Sequence, residues 1–201
     1  MNKKIRKGEY LDILLKSKKT IFSTKDVALL WGEKSRAAAR VRLSYYSEKG
    51  GLFRVIRGFY AKGKNYNKYE LATKIYTPSY ISFETVLGNT GISFQSYGQV
   101  FIASYLTREI IIDKQKYSFK KLKDSILTNN LGVEQKDNYS IATPERAFLD
   151  TVYLNKDYYF DNFSSLNWDK VFTVLPIYEN KRMEKDVKDY KKLYDTQRNN
   201  S

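Results

Sequence analysis

Between Lys34 and Tyr60 the chain reads KSRAAARVRLSYYSEKGGLFRVIRGFY. Arg36 and Arg40 stand one helical turn apart, and Ser44 and Ser47 continue the same side. A guanidinium presents a rigid fork of donors that matches a phosphate or the major-groove edge of guanine. Arg54, Arg57, Lys62 and Lys64 follow in a short glycine-rich span. Residues of these types at this spacing fit a nucleic-acid backbone and its base edges. Lys34, Ser35, Arg36, Arg40 and Ser44 would belong to one helix and its start, with Arg36 and Arg40 reading bases. Arg54, Arg57, Lys62 and Lys64 would hold phosphates. Arg42 falls cleanly on neither side of the helix, so a flanking phosphate and a structural role both remain open for it.

A second group lies in TPERAFLD, where Glu145, Arg146 and Asp150 fall within about one helical turn of each other. Its functional reading is a carboxylate–arginine site for a nucleotide or a metal ion. The plainer reading is a capped helix with an Arg146–Asp150 pair at i,i+4, worth roughly a few tenths of a kcal/mol. YENK supplies a Glu-x-Lys fragment at Glu179 and Lys181, but no strand-borne Asp precedes it at a spacing a nuclease would need. The chain has no cysteine and no histidine. Thiol nucleophiles, disulfides, cysteine–histidine zinc sites and Ser-His-Asp triads are therefore excluded. No Gly-rich phosphate loop is present. The expectation is a protein that is not an enzyme and needs no metal or cofactor.

The net charge of +14 favours a polyanionic partner, with nucleic acid ahead of a membrane surface. The charge is sorted along the chain. Residues 1–64 hold 17 Lys and Arg against 5 Asp and Glu, leaving 19 against 17 for the rest. Glu9 and Asp12 interrupt the apolar stretch near the N-terminus, against a signal peptide. No apolar run approaches the roughly 20 residues of a spanning helix. The expectation is a soluble, cytoplasmic protein without a membrane partner.

Three helices must position the basic residues. Ile5, Leu11, Leu14 and Leu15 fit a first amphipathic helix. FSTKDVALLWG fits a second, with Ser23 as N-cap, Asp26 completing a capping box and Gly32 as the stop. Val27, Leu30 and Trp31 would be its buried stripe. A third helix would run from Ser35 to about Lys49, with Ala38, Val41 and Tyr45 opposite its arginines. Gly50 and Gly51 permit a sharp turn, and LFRVIRGFYA then alternates as a hairpin bent near Gly58. This is the pattern of a helix-turn-helix followed by a wing.

A boundary is expected at KGKNYNKYE, giving a DNA-binding domain over 1–64 and a C-terminal domain over 65–201. Beyond it, a short helix is expected at 68–76, another capped by Ser82 and running through Leu87, and strands in QVFIASYL and REIIIDKQKYSF with DKQK as their turn. Pro144 should start a helix holding Ala147, Phe148 and Val152. Two late helices and a polar tail, DTQRNNS, complete the chain. The many aromatics, such as Tyr45, Phe101 and Phe148, fit core positions better than base stacking. The fold class expected is α+β: a winged helix-turn-helix, then a mixed α/β domain with a small, mostly antiparallel sheet.

IRGFY, then TPSYISFETVLGNTGIS, then IATPERAFLD, in that order, resembles the AbiEi antitoxin family of type IV toxin-antitoxin (abortive phage infection) systems. The resemblance runs from about Thr20 to Leu154. It departs from the family at Thr85, Val86 and Asn89, where other side chains are usual. The resemblance implies a repressor of its own operon that binds inverted repeats in double-stranded DNA and self-associates there. It also implies an antitoxin that counteracts a nucleotidyltransferase toxin without a stable complex. Two other readings of the C-terminal domain stay open: an enzyme that modifies the toxin or a nucleotide, and a direct toxin-binding module.

Overall fold

In the computed structural model, residues 8–33, 35–95 and 98–199 are described. Ile5 and Lys34, both invoked above, lie outside them. Helix α1 spans Glu9–Lys16 and is followed by strand β1 at Ile21–Ser23. Ser23 ends that strand and caps helix α2, Thr24–Leu30. Its hydroxyl accepts from the Asp26 N–H at 3.0 Å, and the Asp26 carboxylate accepts from the Ser23 N–H at 3.2 Å. The reciprocal pair satisfies two donors that every helix start leaves open. Gly32, at φ +63°, takes the left-handed turn that ends the segment.

Helix α3 (Arg36–Glu48) follows, and Gly50 at φ +75° turns the chain into a hairpin. Its arms are β2 (Phe53–Ile56) and β3 (Phe59–Ala61). Strand β1, which the sequence pattern did not suggest, pairs antiparallel with β3 and completes a sheet in the order β1-β3-β2. A register shift between Arg54 and Ile56 kinks β2.

The core of this unit is built from Leu14, Phe22, Val27, Ala28, Trp31, Ala39, Leu43, Leu52 and Tyr60. Three expected core positions are corrected. Leu30 is exposed, and Ala28 takes its place. On α3, Val41 and Tyr45 are 70% and 53% exposed, while Ala39 and Leu43 are fully buried. Hydrophobicity alone chose the wrong side because the alanine run gives a helical wheel little contrast. The Trp31 and Tyr46 rings, 6.3 Å apart, pack across the side that is buried.

Helix α4 (Lys68–Ile75) carries the first compact unit to Lys74, beyond the boundary expected at residue 64. Two tethers explain this. The Glu70 carboxylate accepts from the Thr20 N–H at 2.8 Å and from its hydroxyl at 2.7 Å. Lys74 donates to Asp26 at 3.2 Å.

The second unit, Ile75–Ser201, is built on a six-stranded mixed sheet. Its strands are β4 (Ser79–Ile81), β5 (Gln99–Ser104), β6 (Arg108–Ile112), β7 (Gln115–Lys121), β8 (Val133–Lys136) and β9 (Tyr139–Ala142). They lie in the order β6-β7-β5-β4-β9-β8. Neighbours β5–β7 and β4–β9 run parallel, and the other three pairings are antiparallel. The turn between β6 and β7 is shorter than the DKQK expected: Asp113 and Lys114, both at positive φ, make it, and Gln115 and Lys116 already belong to β7. The helices are α5 (Glu84–Asn89), α6 (Asp124–Leu127), α7 (Pro144–Leu154), α8 (Trp168–Val174) and α9 (Lys181–Asn199), with a 3-10 turn at Leu175–Tyr178. The chain is therefore α+β.

Helix α7 starts at Pro144, with the Thr143 hydroxyl accepting from the Arg146 N–H at 3.3 Å. Its Phe148 ring meets Phe160, Phe163, Trp168 and Tyr190 at 4.8–6.3 Å, an aromatic core fastened by α9. Two expectations are corrected here. Ser82 does not cap α5, because its hydroxyl is committed to Asp150. The expected polar tail is helical as far as Asn199. Among the described residues, no helix is long and apolar enough to cross a membrane.

Candidate nucleic-acid interface

Arg36 and Arg40 project from consecutive turns of α3 toward the β2–β3 hairpin. Gly58, at φ +86°, closes the turn of that hairpin, with Arg54 on β2 and Arg57 in the turn itself. The four arginines line one cleft of about 750 Å³, together with Thr24, Ala37, Ser44, Gly58 and Tyr60. No acidic residue lines it, and among the described residues none of the four arginines makes an ion pair. All four are exposed, so their charge is hydrated and available. An open, uniformly cationic cleft concentrates field lines and attracts polyanions.

A second depression, of about 440 Å³, lies along the same hairpin. It is lined by Ser47, Gly50, Leu52, Phe53, Arg54, Lys62, Gly63 and Lys64. Arg54 belongs to both, so the basic surface runs continuously from α3 across the hairpin. Lys64 is exposed, whereas the Lys62 ammonium also donates to the Ser17 carbonyl. Arg36, Arg40, Ser44, Arg54, Arg57, Lys62 and Lys64 are thus brought together. Ser35 immediately precedes α3 and is exposed. Lys34 lies outside the described residues.

Arg42, left open by the sequence, is structural. It pairs with Glu33 and lies with its guanidinium 3.9 Å from the Tyr10 ring centre. Burial opposes its charge, but the Glu33 hydrogen bond and charge more than offset this and hold its pKa up.

Glu145, Arg146 and Asp150 form no open site. Arg146 and Asp150 are fully buried and Glu145 nearly so. The Arg146 Nε donates to Asp150 at 3.2 Å. Its two terminal nitrogens donate to the carbonyls of Asn129, Leu131 and Ile126 and to the Tyr80 hydroxyl, at 2.7–3.2 Å. All five guanidinium donors are thereby used. Asp150 also accepts from Tyr80 at 3.0 Å, Ser82 at 2.7 Å and Tyr178 at 2.7 Å. Burial pushes the Asp150 carboxyl up, opposed by Arg146 and the three hydroxyls. Burial likewise pushes the Tyr80 and Tyr178 phenols well above their ordinary value, so both stay protonated donors. Glu145 accepts from the Asn167 N–H at 3.2 Å, tying α7 to the start of α8. The sequence showed the i,i+4 pair but not its partners, which come from segments up to 70 residues away.

Glu179 is exposed and pairs with Lys123 at 3.6 Å. Among the described residues, no cluster of three or more acidic side chains could hold a metal ion. No protein-family model matches this chain, and no curated protein matches it.

Proposed function

We propose that residues 1–74 are a winged helix-turn-helix DNA-binding domain and that the chain is a transcriptional autorepressor and antitoxin. In this reading α2 and α3 are the helix-turn-helix, with α3 in the major groove and the β2–β3 hairpin as the wing. The observation that carries it is the cleft in which Arg36, Arg40, Arg54 and Arg57 converge without an acidic neighbour. A helix and a hairpin of one polarity, set side by side, match a groove and the phosphates that flank it.

The antitoxin half rests on the resemblance to the AbiEi family. By it, the chain binds inverted repeats in its own promoter, self-associates there, and counteracts a nucleotidyltransferase toxin without a lasting complex. The enzyme reading of the C-terminal unit loses support from Glu145, Arg146 and Asp150, whose polar atoms are committed to the interior.

A gel-shift titration against the DNA upstream of the gene, at two salt concentrations with unrelated DNA as control, tests the repressor half. Specific binding that weakens steeply with salt is expected. Equal, weak binding to both DNAs would remove the reading. Co-expression with a nucleotidyltransferase encoded beside the gene tests the other half, and growth rescue without co-purification is the expected result.

A further inference from the structure

The arginines do not occupy the outermost face of α3. They sit on its hairpin flank, lining the cleft. The face turned away from the core, opposite Ala39 and Leu43, carries Ala37, Val41 and Tyr45 at successive i,i+4 positions. Val41, in the middle of the helix, is 70% exposed. Ala37 also lines the arginine cleft, so the apolar stripe and the basic surface share an edge.

That charge says what covers the stripe. A protein partner would meet four arginines that lack acidic neighbours, whereas a DNA groove brings its own phosphates. Small side chains at Ala37, Ala38 and Val41 also keep the N-terminal half of this face thin, with Tyr45 standing beyond it. The major groove is about 12 Å wide, barely wider than a helix with its side chains, so a thin face can approach the base edges closely. At that depth a short apolar side chain has one distinctive partner, the C5-methyl of thymine.

Resting on the DNA-binding reading, we infer that α3 recognises a thymine through its methyl group, with Val41 packed against it beside a guanine held by Arg40. Val41 is then a specificity-determining residue that makes no hydrogen bond. It separates thymine from cytosine, and thymine from uracil, by buried methyl surface alone.

The full-length chain is used to select duplexes from a random-sequence pool, and the tightest becomes the probe. Each thymine is then replaced singly by deoxyuridine, which removes the methyl and keeps every hydrogen-bonding group. The wild-type chain should lose about fourfold in affinity at one thymine per half-site, the worth of one buried methyl. Val41→Ala should bind the thymine and deoxyuridine forms of that position alike, with an unchanged salt slope. No sensitive thymine in a duplex that is bound specifically would overturn the inference and leave the DNA reading standing. So would an equal methyl effect in Val41→Ala. If no duplex is enriched over unrelated DNA, the DNA reading itself fails and the stripe falls to a protein partner or a second copy.

Discussion

Arg40 and Arg54 line the same cleft but come from different elements, and their removal should read out differently. Arg40→Ala on α3 should cost roughly 1–3 kcal/mol on the specific site and relax preference at one position. Arg54→Ala on the hairpin should weaken all sequences alike and reduce the salt slope by about one. Fluorescence anisotropy on specific and unrelated duplexes separates the two, and identical behaviour would show that both hold only phosphates. Asp150→Asn acts elsewhere, leaving the Arg146 guanidinium buried without its counter-charge. Breaking a buried pair from one side costs about 3–5 kcal/mol, which urea denaturation should read as a large fall in midpoint.

At the scale of elements, α2 gives a pH prediction. Burial alone would raise the Asp26 carboxyl, but the Lys74 ammonium and the Ser23 N–H outweigh it and hold it below its usual range. A carboxyl lowered on folding stabilises above its unfolded value of about 3.9 and ceases to as pH falls through the folded one. Asp26→Asn should therefore destabilise the chain at neutral pH, and the gap to wild type should close in acid. Thermal melts from about pH 6 down to about pH 3 would show it, and a constant gap would refute it. Gly132 gives a second prediction. It sits at φ +76°, and a Cβ there would lie 2.9 Å from the Arg146 Cβ. Gly132→Ala should cost more than the 1–2 kcal/mol of left-handed strain alone, read from the denaturation midpoint.

The Ser23–Asp26 box was legible because its partners are three residues apart. The β6–β7 turn, the Pro144 helix start and the convergence of basic residues around the hairpin were legible for the same reason: local chemistry fixed them. The face of α3 was not, because packing of its own Tyr46 against Trp31 decided it. Nor were the surroundings of Arg146. Its carbonyl partners at Ile126, Asn129 and Leu131 carry no side-chain signature, since any residue supplies a carbonyl. The parallel β4–β9 pairing joins Ile81 to Ile141, a separation over which residue patterns specify nothing.

For the molecule as a whole, the sorted charge sets how binding responds to ions. If Arg54, Arg57, Lys62 and Lys64 each neutralise one phosphate, log K should fall against log salt with a slope of about −3.6 per chain bound. A slope near zero would exclude the cleft as the contact surface. The near-neutral remainder of the chain should add little, so charge reversals there should leave the slope unchanged.

The sheet order carries one more consequence, in the time taken to make the molecule. The strand at Ser79–Ile81 cannot find its neighbour at Tyr139–Ala142 until some sixty intervening residues exist. Every tether of the first unit, by contrast, closes within its own 74 residues. On the ribosome the arginine-bearing unit is therefore complete while the sheet still waits for the strand that joins β4 to the edge strand β8. A nascent chain would acquire its cationic surface well before the rest of the protein has a shape.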